Sequence, residues 1–457
     1  MMPRHFWLSV LAIAVPTVTV PGASAQTFEE ALANAYNSNP QLLAERANLR
    51  ATDEQIAQAR AGWRPTVTVS SEVGKGETNI KGLPNQPIGQ TPRQAQVQVS
   101  QPLYRGATVP QIESARNAIQ GERARLFSTE QTVLLNAATA YLDTVQNAEL
   151  VRLNAENEKV LAKQLEATQD QFRVGEVTKT DVSQAEARLA GATASRIQAE
   201  GTLQASKATF QQVVGLAALK LTRPPRPKGL PSSSENASQE AATKNPLVIA
   251  AQFDEGTARA QIDVARAGLL PQLNLVGTAG YQRDLPGSTL PKTTDAAVLA
   301  QISVPLYEAG SVYSQVRQAR QVASQRLILI QDARRTAIAN ATSSFETLLS
   351  SRARIEALQS QVQADTIALE GVRQEASVGS RTILDILNAE QELLNSQTSR
   401  EQAIHDDLVS CFQVLSAVGR MTAKELALPV QLYDFDTNFR DVENRWWGTD
   451  ILKQKEE

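Results

Sequence analysis

The sequence predicts an α+β membrane protein in which long α-helical coiled-coil rods run on into short β-hairpins, the whole unit occurring twice. Three observations predict it. Asn39, Arg60, Gly62 and Pro65 recur as Asn245, Arg266, Gly268 and Pro271 at one constant offset, the mark of an internal repeat. In each half a stretch of roughly 65 residues, about 107–172 and about 310–376, is almost free of proline and glycine, and at about 1.5 Å per residue it would make a rod of about 100 Å. Just before each stretch the apolar period switches from helical to two.

Bulk composition agrees. A length of 457 residues alone would suggest about three domains, whereas the duplication argues for one architecture built twice. Hydrophobic content is 42% but aromatics are only 5%; the apolar side chains are mostly Ala, Val and Leu, which suit closely packed helices better than a thick core. A net charge of -3 leaves no basic footprint, so no nucleic-acid partner is expected. Cys411 is the single cysteine, which rules out an intrachain disulfide or a cysteine zinc site.

Residues 1–25 read as a signal peptide: Arg4 and His5, an apolar run from Phe6 to Val15, then Ala23-Ser24-Ala25 as a cleavage site. The mature start, Gln26-Thr27, has no cysteine for lipid attachment. The first unit spans 26–222. Helix is expected over 27–61, interrupted at Asn39-Pro40. A β-hairpin follows at about 66–103. Val67, Val69 and Val73 alternate with Thr and Ser; beyond a polar loop, Ala95, Val97, Val99 and Leu103 alternate with Gln94, Gln96 and Gln98. The second unit, 246–429, has its hairpin at about 271–306, with Leu273, Leu275, Ala279 and Tyr281 on one face and Val298, Ala300, Ile302 and Val304 on another. Pro102-Leu103-Tyr104 and Pro305-Leu306-Tyr307 lead into the rods. Leu134, Ala138, Tyr141, Val145 and Ala148 in one rod, and Ile355, Leu358, Val362, Asp365, Leu369 and Val372 in the other, keep coiled-coil spacing. Residues 223–245 read as a linker with one short helix, and 430–457 as a loosely held C-terminal tail carrying Trp446-Trp447.

Each rod ends in a Val-Gly and the helical pattern restarts at a Thr. Phe172-Arg-Val-Gly-Glu-Val-Thr-Lys-Thr-Asp-Val is matched by Ala376-Ser-Val-Gly-Ser-Arg-Thr-Ile-Leu-Asp-Ile, so Gly175 aligns with Gly379 and Asp181 with Asp385. A glycine just past a helix end takes the left-handed conformation cheaply, and threonine is a ready N-cap. Two helical hairpin tips, at about 172–182 and 376–386, are therefore expected, followed by shorter helices at about 178–215 and 382–418.

Alternating strands fit either a soluble hairpin or an outer-membrane strand, apolar to lipid and polar to a lumen. The leader, the long polar loops and the Gln-rich faces favour the membrane. Four strands cannot close a barrel, since the smallest has about eight and an open edge in lipid strands backbone groups. Three chains would supply about twelve. The competing reading is a secreted structural coiled-coil protein or adhesin whose strands never enter lipid.

Chemistry-bearing motifs are absent. There is no phosphate-binding loop, zinc-protease helix, nucleophile elbow or dinucleotide fingerprint, and the one mature histidine, His405, reads as a solvated helix residue beside Asp406 and Asp407. No enzyme, cofactor or metal is expected.

Val378-Gly379-Ser380-Arg381-Thr382-Ile383-Leu384-Asp385, its partner Thr180-Asp181-Val182, the twofold repeat and the Pro-Leu-Tyr segments make the chain resemble the TolC family of outer-membrane channel proteins, through nearly the whole mature length. That resemblance implies a homotrimer in the cell outer membrane, one twelve-stranded barrel in the lipid, and a periplasmic helical tunnel. It implies an exit duct for multidrug efflux or type I protein secretion, with a periplasmic adaptor and an inner-membrane pump or ABC transporter as partners. Carried over, the tips become a periplasmic gate in which Arg381 pairs with Thr180 and Asp181 of a neighbouring chain and Asp385 forms a lumenal carboxylate ring. Two departures stand out. Ala376 replaces a gate tyrosine and Asn388 replaces a second lumenal aspartate, which implies a looser latch and one carboxylate ring instead of two.

Overall fold

The computed structural model describes residues 26–78, 88–284 and 292–451; the expected leader at 1–25 lies outside them. In chain order the elements are α1 (Phe28–Ser38), α2 (Pro40–Arg60), β1 (Thr66–Val73), β2 (Gly76–Thr78), β3 (Ile88–Gln90), β4 (Arg93–Arg105), α3 (Thr108–Arg173) and α4 (Lys179–Val214), then α5 (Ser234–Lys244), α6 (Pro246–Arg266), β5 (Gln272–Arg283), β6 (Lys292–Ser303), α7 (Ser311–Ser377), α8 (Ile383–Ala417) and α9 (Phe435–Glu443). The order helix, Asn-Pro, helix, strand pair, long helix, tip, helix thus occurs in both halves.

The recurring residues do the same work each time. Asn39 ends α1 and caps α2: its Oδ1 accepts from the Gln41 N–H at 3.0 Å, Pro40 occupies the first helical position, and Nδ2 donates to the Val213 carbonyl of α4 at 3.0 Å. Asn245 caps α6 through Leu247 at 2.9 Å and donates to Ala417 of α8 at 3.0 Å. Asparagine serves because one side chain carries both the acceptor a cap needs and a donor for an orphaned helix-end carbonyl. Gly62 and Gly268 each lie in the 3-10 turn below a strand. A Cβ there would stand 2.8 Å from Thr108 Oγ1 or 3.1 Å from Val312 Cγ1, so glycine lets the long helix start flush against the turn.

The strands form one antiparallel sheet in the order β1-β4-β5-β6, the two halves meeting at β4–β5, while β2 and β3 make a small ribbon of their own. Register aligns the apolar sets: Val67 faces Val99, which faces Gly277, which faces Val298, and Val69, Val97, Ala279 and Ala296 make the next row. The alternate rows are polar, as in Ser70, Gln96, Gly280 and Asp295. No helix covers the apolar face: Val69 and Val298 are each 74% exposed. No helix among the described residues is long and apolar enough to cross a membrane.

Below the sheet α3 packs along α4 and α7 along α8, with α2 and α6 filling in against the long helices. Of the coiled-coil stripe, Leu134, Ala138 and Tyr141 are fully buried. Tyr141 is the hub. Its ring meets Phe28 edge-on at 5.2 Å and Phe210 at 6.1 Å, and its hydroxyl lies 2.8 Å from the Thr222 carbonyl oxygen. The linker helix α5 buries Ala237 and Ala241 against Phe345, Cys411 and Val414.

Two expectations are corrected. The segment beyond 430 is not loosely held between 433 and 446. Tyr433 N–H donates to the Tyr36 hydroxyl at 3.0 Å, Asn438 to Asp53 at 2.8 Å, Arg123 pairs with Asp436 at 2.9 Å, and Arg60 pairs with Glu443. Phe435, Phe439 and Val442, at 4-3 spacing, give α9 one apolar edge; its brevity hid the pattern. His405 is not solvated either: Nε2 lies 2.7 Å from Asp143 and Nδ1 3.2 Å from Asp406. Burial disfavours its charge, but the two carboxylates outweigh that and hold its pKa above the ordinary value.

Candidate functional site

The two hairpin tips share one backbone. Arg173 ends α3, Gly175 turns left-handed at φ 82°, and the Glu176 N–H reaches back to the Gln171 carbonyl at 2.9 Å. Ser377 ends α7, Gly379 turns at φ 79°, and the Ser380 N–H reaches Glu375 at 3.0 Å. Both turns satisfy helix-end carbonyls at a residue where any Cβ would be strained.

Each chain leg then restarts through a capping box. Asp181 Oδ2 accepts from the Thr178 N–H at 2.9 Å and from its hydroxyl at 2.7 Å, and Asp385 Oδ2 accepts from Thr382 at 2.9 and 2.8 Å. These bonds stabilise the ionised form. The Thr178 hydroxyl and then its N–H hold Asp181 below the usual carboxylate range; for Asp385 the Thr382 N–H leads, the hydroxyl follows, and Arg381 adds a little.

The expected residues fall as follows. Thr180 is exposed in the first turn of α4, one residue before Asp181. Arg381 projects from the second tip and pairs within its own chain, Nε to Glu375 Oε2 at 2.8 Å. Asn388 lies one turn beyond Asp385 and accepts at Oδ1 from Arg188 of α4 at 2.8 Å, a link between the two hairpins. Within one chain, then, the polar tie between the hairpins near their tips runs through Asn388, not through Arg381, beside an apolar cluster of Leu161, Ala192 and Leu387. Sequence reasoning passed over Arg188, Glu375, and Arg373, which pairs with the nearly buried Glu390 across the second hairpin. Glu375 was findable, because an acid six residues before a tip arginine faces it across the turn. Arg188 was not, since its partner lies in the other half.

The sequence profile described as "outer membrane efflux protein" matches residues 31–216 and 237–409. The chain belongs to the outer membrane efflux protein family. It is 31% identical over 435 residues to the outer membrane efflux protein BepC of Brucella suis, covering 94% of this chain and 93% of that one. It is 26% identical over 434 residues to the outer membrane protein TolC of Escherichia coli, covering 90% and 86%. Among solved structures, the CmeC outer membrane channel of Campylobacter jejuni superposes with a TM-score of 0.77 at 16% identity, covering 91% of this chain and 89% of that chain, and supports the fold. Outer membrane efflux proteins are conduits, so the chain is an outer-membrane efflux channel protein, and the structural-protein or adhesin reading has nothing in its favour. The bare sheet and the long helices make sense in that family as a β part in the membrane and a helical tunnel beside it.

Proposed function

We propose that three copies of this chain pool their sheets into one twelve-stranded barrel and their helices into one periplasmic tunnel, a passive duct for drugs or secreted proteins. The observation that carries this reading is the sheet. It has an apolar face that no helix covers, and β1 and β6 are left as its edges. In lipid such edges leave unpaired N–H and C=O groups at several kcal/mol each, a cost removed when β6 of one copy pairs with β1 of the next. An inner-membrane pump or ABC transporter, joined to the duct through a periplasmic adaptor, supplies the energy.

The tips form the gate. Arg381, exchanging Glu375 for Asp181 and Thr180 of a neighbouring chain, latches the helices inward; Asp385 lines the constriction. Exposed ion pairs are individually weak, so an adaptor that binds the open state better can release them. Glu375 competes for Arg381 within the same chain and Ala376 adds no latch contact, which together make closure loose.

The deciding measurement is reconstitution. Detergent-extracted protein should run as a trimer and conduct in planar bilayers, and a deletion strain should gain sensitivity to the exported compounds. A monomer that stays out of bilayers would end the proposal.

A further inference from the structure

The C-terminal segment runs along α2 toward the sheet and reaches its base at Arg64. Asn438 donates to Asp53 in the middle of α2, Glu443 and Asn444 hold Arg60 at its end, and the Arg445 carbonyl accepts from Arg64. Arg64 lies between the 3-10 turn and β1, so it stands where the helical part gives way to strand. Its guanidinium covers the Trp446 ring at 5.0 Å. Trp446 is 63% exposed and Trp447 87%.

Two exposed tryptophans in a row are costly in water, and here Arg64 holds the first of them at the base of the sheet. Other exposed amphipathic rings share that end of the sheet: Trp63 beside Arg64, Tyr104 at the end of β4, and Tyr307 just past β6. Trp and Tyr gather where a bilayer's headgroups meet its acyl chains, because one side of the ring is apolar and the other carries a polar handle.

We propose that Trp446 and Trp447 are a membrane anchor, seated in the headgroup layer of the inner leaflet at the foot of the barrel, with Arg64 as the pin that sets their depth. The occupant is the phospholipid interface, argued from continuity with the apolar sheet face that begins at Val67, three residues after Arg64. The anchor rests on the barrel reading. It gives the C-terminal segment a task that its packing on α2 alone does not require.

Depth-dependent quenching tests it. The mature chain has three tryptophans, Trp63, Trp446 and Trp447, so Trp63→Phe leaves only the tail pair as emitters. In phosphatidylcholine vesicles that pair should lose most emission to lipids brominated near the headgroup, less to lipids brominated near the chain ends, and little to aqueous iodide. Arg64→Gln should shift the pair toward iodide. A separate probe, Val298→Trp with the other three changed to Phe, reports on the sheet. If that probe resists deep bromines, the barrel reading falls and the anchor with it. If the sheet probe is quenched while the tail pair answers only to iodide, or to neither quencher, the anchor alone is overturned.

Discussion

The two hairpin tips have the same skeleton and different clothing. Gly175 and Gly379 adopt the same left-handed turn, and Thr178–Asp181 and Thr382–Asp385 make the same reciprocal cap to within about a tenth of an ångström. The side chains around them diverge. The first tip has Arg173 pairing back to Asp170 on its own helix, three residues away, and Gln171 where the second has Glu375. The second tip has Arg381 held by Glu375 across the turn, and behind it Arg373 paired with a nearly buried Glu390, whose counterpart Glu186 is exposed. A turn that only needs to reverse the chain keeps its backbone code. The charges beside it are free to change, and the arginine of the proposed latch is one of the second tip's departures from the first.

The largest effect should come from the pair assigned to the latch. Arg381→Ala and Asp181→Ala should each raise single-channel conductance and antibiotic leakage, whereas Arg173→Ala, the first tip's own arginine, should do neither. Unchanged conductance in both latch variants would break the contrast between the tips. Glu375→Gln sharpens it with the opposite sign: by releasing Arg381 for the neighbouring chain it should lower the open fraction.

Next comes the lumen. Asn388→Asp should increase block by multivalent cations applied from the periplasmic side. Because Arg188 bonds Asn388, it would neutralise much of the new charge, and the block should grow further in the Arg188→Gln background. No change in either background takes position 388 out of the conducting path.

Smaller still are the caps, where the tips should behave alike. Thr178→Ala should cost the start of α4 about 1 kcal/mol, and Thr382→Ala should fray α8 similarly, both visible as faster amide exchange in the first helical turn. Unequal fraying would mean that packing, not capping, sets one of the tips. The pH dependence is the mildest test. Both aspartates have folded pKa values depressed below the unfolded one, so the cap contributes fully above the usual carboxylate range, near 3.9, and is lost as pH falls through the lower folded value. Amide protection at both tips, measured relative to the intrinsic exchange rate at each pH, should be flat from neutral to mildly acidic pH and fall together only below that range.

Much of this was legible in the chain. The Asn-Pro junctions, the glycines under the strands, the two strand pairs, both long helices and both tips lie where local chemistry demands them, to within a few residues. The candidate site was legible only as positions. That Thr178 and Thr382, not Thr180, would cap the returning helices follows from the spacing to Asp181 and Asp385. That Asn388 would be engaged by Arg188 does not, because the two lie in different halves and meet only when α4 and α8 are side by side. α9 escaped notice because two turns of helix carry too little periodicity to stand out, and His405 reads as solvated from sequence because its partner Asp143 is on another helix.

By itself, then, the sequence determined everything set within a few residues: helix starts and stops, the period-two strands, the strained glycines and the twofold succession of elements. Those depend on caps, dihedral preferences and alternation, which act along the chain. Only the tertiary structure decided that the halves join at β4–β5, that the tail climbs α2 to Arg64, and that each arginine at the tips finds the acid or amide it does. Such choices are made between segments far apart in sequence, where one long charged side chain has several partners within reach and packing alone selects among them.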